Sequence, residues 1–95
     1  MERLKELTYF YNAIREDHRI GTTHISLYMS LFQFYNLNGF NNPVEITRAA
    51  VMKVAKIQGI ATFHLCIKDL NDFGYIAYKP SYNPAIRSKV YLLKV

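Results

Sequence analysis

The chain has 95 residues with 12 Lys/Arg against 7 Asp/Glu, a formal net charge of +5, and is 51% hydrophobic and 15% aromatic. That length suits one domain around one core and excludes a second. No apolar run reaches the roughly 18 residues of a membrane span, the start MERLKEL lacks the apolar stretch of a signal peptide, and the single cysteine, Cys66, cannot close an internal disulfide, so a cytoplasmic, reducing setting is expected.

Residues 3–17 suit a first helix, with Leu4, Leu7, Tyr11 and Ile14 recurring every three or four positions. Tyr9 and Phe10 fall off that stripe. Aromatics outside a core stripe cover a neighbouring loop or meet a second subunit, so Tyr9 and Phe10 are expected at a homodimer contact. Gly21 breaks the helix, and Thr22 or Thr23 can cap the next one through its hydroxyl. In the second helix, residues 24–38, Ile25, Leu27, Tyr28, Met29, Leu31, Phe32, Phe34, Tyr35 and Leu37 surround the axis, which places it inside a bundle or between subunits. Core packing explains such an aromatic and Met stripe without a cofactor.

Asn38-Gly39 to Asn42-Pro43 is a turn cluster, and residues 44–46 are a short extended piece. Thr47 is an N-cap, with Ile46 set to pack on Val51 as a hydrophobic staple. The third helix runs to about Ile57, burying Val51, Val54 and Ala55 and exposing Arg48, Lys53 and Lys56. After the Gln58-Gly59 turn, a fourth helix carries Ile60, Phe63, Ile67, Leu70 and Phe73 as a core stripe and ends at Gly74, a left-handed stop. Its outer face shows Ala61, Thr62, His64, Leu65 and Lys68, short enough near its start for the backbone to approach a groove. Residues 75–79 and 89–93 read as two strands joined by PSYNPAIRS. Two prolines stiffen that loop, and Ser81, Tyr82, Asn83, Arg87 and Ser88 offer donors suited to phosphate oxygens.

The charge lies in this second half. Residues 1–46 hold four Lys/Arg and five Asp/Glu, a net of −1, and residues 47–95 hold eight and two, a net of +6. A concentrated positive field attracts polyanions. Solvated lysines on an ordinary basic protein would give the same count.

Catalytic chemistry is not expected, and neither is a metal or cofactor. His18, His24 and His64 have no Cys or His at metal spacing, and no phosphate-cradling glycine loop appears. Glu16-Asp17 beside His18 reads as solvated charge at a helix end, and Cys66 has no base on its own side of the helix.

From residue 23 onward, the order of buried helix, short strand, helix, turn, helix ending FGYI and hairpin resembles the winged-helix superfamily. ATFHLCIKDLNDFGYI is similar to the closing pattern of bacterial winged-helix regulators and replication-initiator domains. THISLYMSLFQFYN followed by GYIAYKPSYNP is similar to small helix-turn-helix proteins of Bacteroidetes conjugative and mobile elements. The resemblance implies one α+β, mostly α domain over residues 1–95: a winged helix-turn-helix in 23–95, a C-terminal hairpin wing, and an extra N-terminal helix in 1–22 as a dimerisation element. It implies double-stranded DNA binding, by a transcriptional regulator or a DNA-processing accessory.

By position, the resemblance sets Ile60, Ala61, His64, Leu65 and Lys68 on the DNA-facing side, with Thr62 and His64 nearing the major groove and Ser81, Tyr82 and Asn83 along the wing. The chain departs from many such readers, which hold Arg, Ser or Gln where Ile60 and Leu65 stand. An aliphatic side chain can touch a thymine methyl but cannot form the bidentate bond that reads guanine or adenine. Phosphate binding by Arg48, Lys53, Lys56, Lys68, Lys79, Arg87 and Lys89 does not depend on that readout. A second expectation, from another class, is a protein-interaction module that assembles a replication or transfer complex through Ile60, Leu65, Tyr9 and Phe10.

Overall fold

The computed structural model describes residues 4–83 and 85–93. They form α1 (Leu4–Ile14), α2 (Thr22–Leu37), β1 (Val44–Ile46), α3 (Arg48–Ala55), α4 (Ile60–Asp72), β2 (Ile76–Lys79) and β3 (Ser88–Leu92). Four helices and a three-stranded antiparallel sheet make an α+β, mostly helical fold, compatible with a winged-helix-like arrangement with a C-terminal hairpin.

Because α2 is apolar on nearly every side, it takes the centre. It buries Leu27, Tyr28, Leu31, Phe32 and Tyr35 and packs on α3, α4, β1 and β3. Of its apolar side chains only Leu37, at the end of the helix, is exposed. The helix begins at Thr22, so both threonines lie inside its first turn and neither caps it. Gly21 is the N-cap, and its N–H donates to His24 Nδ1 at 3.0 Å.

The inward face of α1 differs from the expected stripe. Phe10 is fully buried, its ring stacked on Tyr28 with centroids 3.7 Å apart and edge-on to Tyr75 at 5.6 Å. It is therefore a core residue and not a dimer contact, while Tyr9 and Tyr11 stay exposed. Leu7, Tyr11 and Ile14 share the same three-and-four rhythm as Leu7, Phe10 and Ile14, and the ring that meets Tyr28 decides between them.

The helix also stops at Ile14 and not at Asp17, whose side chain has other partners. Asp17 accepts two hydrogen bonds from the Arg19 guanidinium, both 2.8 Å, and a third from the Tyr75 hydroxyl at 2.7 Å. The Arg19 guanidinium lies 3.9 Å from the centre of the Phe73 ring. Asp17 is thus a clasp between the α1–α2 connection and the start of the hairpin, where solvated charge was expected.

Arg19, and after it the Tyr75 hydroxyl, hold the Asp17 carboxyl far below the usual carboxylate range. A depressed folded value contributes stability above the unfolded pKa of about 3.9, and that contribution is lost as pH falls toward the folded value. Asp17→Asn should therefore lower the urea midpoint at neutral pH, and its deficit relative to the parent should narrow between about pH 5 and pH 2. A deficit that stays constant with pH would contradict the clasp.

Thr47 caps α3 through its hydroxyl, which accepts from the Ala50 N–H at 3.3 Å, and Ile46 and Val51 are both buried. The helix ends at Ala55, before Ile57, because Lys56 takes a left-handed conformation (φ 62°) and turns Ile57 into the core. Ser26 on α2 donates to the Ala55 carbonyl at 2.6 Å, and this fixes which face of α3 turns inward. Val54, expected buried, lies on the other side and is exposed.

The break between α3 and α4 bends the chain by 91°. On α4, Phe63, Cys66, Ile67 and Leu70 are buried. Ile60 is not part of that face. Together with Ala61 and Thr62, it sits in a first turn that extends beyond the core. Gly74 (φ 89°) closes the helix, with the Tyr75 N–H returning to the Leu70 carbonyl at 2.9 Å. Burial pushes the Cys66 thiol up, which makes it a poor nucleophile.

The extended piece before α3 is β1, and its partner is the wing. The sheet order is β1-β3-β2, with Val44 opposite Val90 and Tyr78 opposite Val90 on the other side. Asn42 lengthens the ladder: its carboxamide accepts from the Leu92 N–H and donates to the Leu92 carbonyl, both at 3.0 Å. Among the described residues no single helix is long and apolar enough to cross a membrane.

Candidate nucleic-acid interface

The outer face of α4 exposes Ile60, Ala61, Thr62, His64, Leu65 and Lys68. It carries little net charge. Lys68, expected at a phosphate, forms an exposed ion pair with Asp72 one turn on, each holding the other in its charged form, so its charge is balanced locally. The second acid of the helix, Asp69, meets His24 Nε2 at 2.8 Å. Since the Gly21 N–H donates to Nδ1, the ring proton sits on Nε2 and is donated to Asp69. His24 is thus a positioning residue that ties α4 to the start of α2.

Between α4 and the hairpin runs a groove of about 420 Å³ lined by Thr47, Arg48, His64, Tyr78, Tyr82 and Arg87, among others. It continues along α4 into a second hollow of about 440 Å³, which shares His64, Tyr78, Pro80 and Tyr82 and adds Lys68 and Asn71. The register sets this wall. Tyr78 lies opposite buried Val90, so it shares the helix-facing side of the sheet. The Asn71 side chain accepts from the Tyr78 N–H at 2.9 Å and joins the base of the wing to α4.

The wing tip is held by its own polar groups. The Ser81 N–H donates to Ser88 Oγ (3.0 Å), the Ser81 hydroxyl to the Asn83 carbonyl (3.2 Å), the Ala85 N–H to Asn83 Oδ1 (2.9 Å) and the Ile86 N–H to the Asn83 carbonyl (2.9 Å). Of the donors expected to meet phosphates, the Ser81 hydroxyl is thus taken up by the turn itself, whereas Ser88 Oγ and Asn83 Oδ1 serve the turn as acceptors. Tyr82, 92% exposed, and Arg87 are the largest side chains among those the tip presents to solvent, with Ile86 beside them.

Not every expected cation comes to this groove. Lys79 faces Lys89 across β2 and β3, and Lys89 faces Glu45 across β3 and β1. Their neighbours Tyr78, Val90 and Ile46 point toward the helices, so the pleat sends Lys79 and Lys89 to the opposite side of the sheet. Lys89 lines a separate hollow of about 560 Å³ with Glu45, Leu37 and Arg87. Lys53 and Lys56 are exposed on α3 and at its end, outside both hollows along α4.

The structure therefore gathers Arg48, His64, Lys68, Ser81, Tyr82, Asn83 and Arg87 along one trough. It also adds Thr47, Tyr78 and Asn71, which sequence reasoning did not place there. For Tyr78 the signal was available in the alternation of the strand; for Asn71 no local signal exists. Comparison with family models, characterised proteins and solved structures finds no match for this chain.

Proposed function

We propose that this protein binds double-stranded DNA through α4 and the wing with little dependence on base sequence, as a transcriptional regulator or a DNA-processing accessory of a mobile element. One observation carries the reading: a single groove joins Arg48 at the start of α3, His64 on α4 and Arg87 on the wing. Charge supports it. Arg48, Lys53, Lys56, Lys79, Arg87 and Lys89 are exposed and make no ion pair among the described residues, whereas both acids of the basic half are engaged on α4. The surplus positive charge therefore flanks a nearly neutral helix, an arrangement suited to phosphates on either side of it. Ile60 and Leu65 favour methyl contacts over hydrogen-bonded base reading, so unrelated duplexes should bind with similar affinity.

The protein-docking alternative needs a joined apolar patch. Phe10 is buried, and Ile60 and Leu65 are five residues apart, about 140° around a helix of 3.6 residues per turn. Those positions favour the DNA reading. The test is a duplex titration over a range of salt: log affinity should fall linearly with log salt for unrelated sequences, and salt-independent binding would overturn the proposal.

A further inference from the structure

We infer that Tyr82 is a wedge that the wing inserts between adjacent base pairs in the minor groove, bending the duplex. This deepens the duplex-binding reading above and rests on it.

The tip presents an aromatic ring that the fold itself does not use. Tyr82 is 92% exposed, more than any other large hydrophobic residue described, and Ile86 nearby is 56% exposed. The backbone beneath them is fixed by the hydrogen bonds among Ser81, Asn83, Ala85, Ile86 and Ser88. A ring carried on a fixed hairpin reaches its target without the entropy cost of ordering a loop.

The groove indicates where that ring goes. Arg48 and Arg87 line the hollow between helix and wing, so a phosphate strand seated there has α4 on one side and the tip on the other. Two elements flanking a single strand enter adjacent grooves. If α4 takes the wide major groove, the wing takes the minor groove, where apolar side chains can part a base step and kink the duplex. A helix poor in base-reading groups fits the same picture, because a protein that holds the DNA backbone and bends the duplex needs few base-edge bonds.

The experiment uses duplexes labelled at both ends for energy transfer, with 2-aminopurine beside a central TA step. The parent protein should shorten the end-to-end distance and brighten the 2-aminopurine. Tyr82→Ala should keep the salt slope, lose both signals and bind about tenfold more weakly, the scale of one lost stacking contact. Tyr82→Phe should retain both signals. The side chain lies outside the core, so matched circular dichroism and urea midpoints are expected for both variants. If the parent binds in a salt-dependent way without bending, or if Tyr82→Ala bends DNA like the parent, the wedge is overturned and duplex binding stands. If the parent binds no duplex, the duplex-binding reading fails and the wedge fails with it.

Discussion

Truncating Phe10 to alanine should cost about 3–5 kcal/mol of folding stability, read from the urea midpoint at constant slope. The ring has no exposed surface, stacks on Tyr28 and meets Tyr75 edge-on. Its removal opens a cavity between α1 and the centre of the core, and it strips one face of Tyr28, whose hydroxyl burial already pushes up to about 12. Against a total of about 5–15 kcal/mol for a small domain, such a loss would leave a sizeable unfolded fraction. Tyr9→Ala is the matched control. Tyr9 is 47% exposed, and its truncation should change stability by no more than about 0.5 kcal/mol. Equal effects at the two positions would mean that α1 is not docked through Phe10.

Replacing Arg48 and Arg87 together by alanine should lower the salt slope of duplex binding by about two, which at roughly 0.1 M salt corresponds to about 50-fold in affinity. Both side chains are exposed and line the same groove, so the change removes charge while leaving the core intact. The control is neutral deletion. Lys68→Ala with Asp72→Ala removes an ion pair whose charges cancel and should leave the slope where it was. If the pair deletion moved the slope and the arginine deletion did not, the contact would lie on the outer face of α4 and not at the groove.

Local patterns revealed most of the fold, and long-range pairs account for what they missed. Apolar periodicity located the helices, Thr47 and Gly74 marked two of their ends, and β-branched and aromatic runs marked the hairpin. Periodicity could not decide between Phe10 and Tyr11, because both satisfy a helical stripe and only Tyr28 distinguishes them. The bonds Asp17–Tyr75, His24–Asp69 and Asn42–Leu92 each join residues far apart in sequence, and nothing near either partner announces them.

The candidate site was legible as a set of residues more than as a surface. Arg48, His64, Tyr82 and Arg87 converge as their order suggested. Lys79 and Lys89 were grouped with them on charge alone, although Lys89 alternates with Ser88 and Val90 and so points away from the helices. Lys68 has an acid one turn on, at the i, i+4 position. The Asp72 partner was visible in the spacing and changes what Lys68 can offer.

The position of β3 has a kinetic consequence. β1 and β2 each bond to β3 and not to one another, and β3 follows every other described element in the chain. Neither strand has a ladder partner until Ser88–Leu92 arrives, and the pairing of Val44 with Val90 spans nearly half the chain. Contacts of such long sequence separation form late and slowly. The groove joining Arg48 to Arg87 therefore depends on one non-local pairing, β1 with β3, as well as on the local hairpin of β2 and β3.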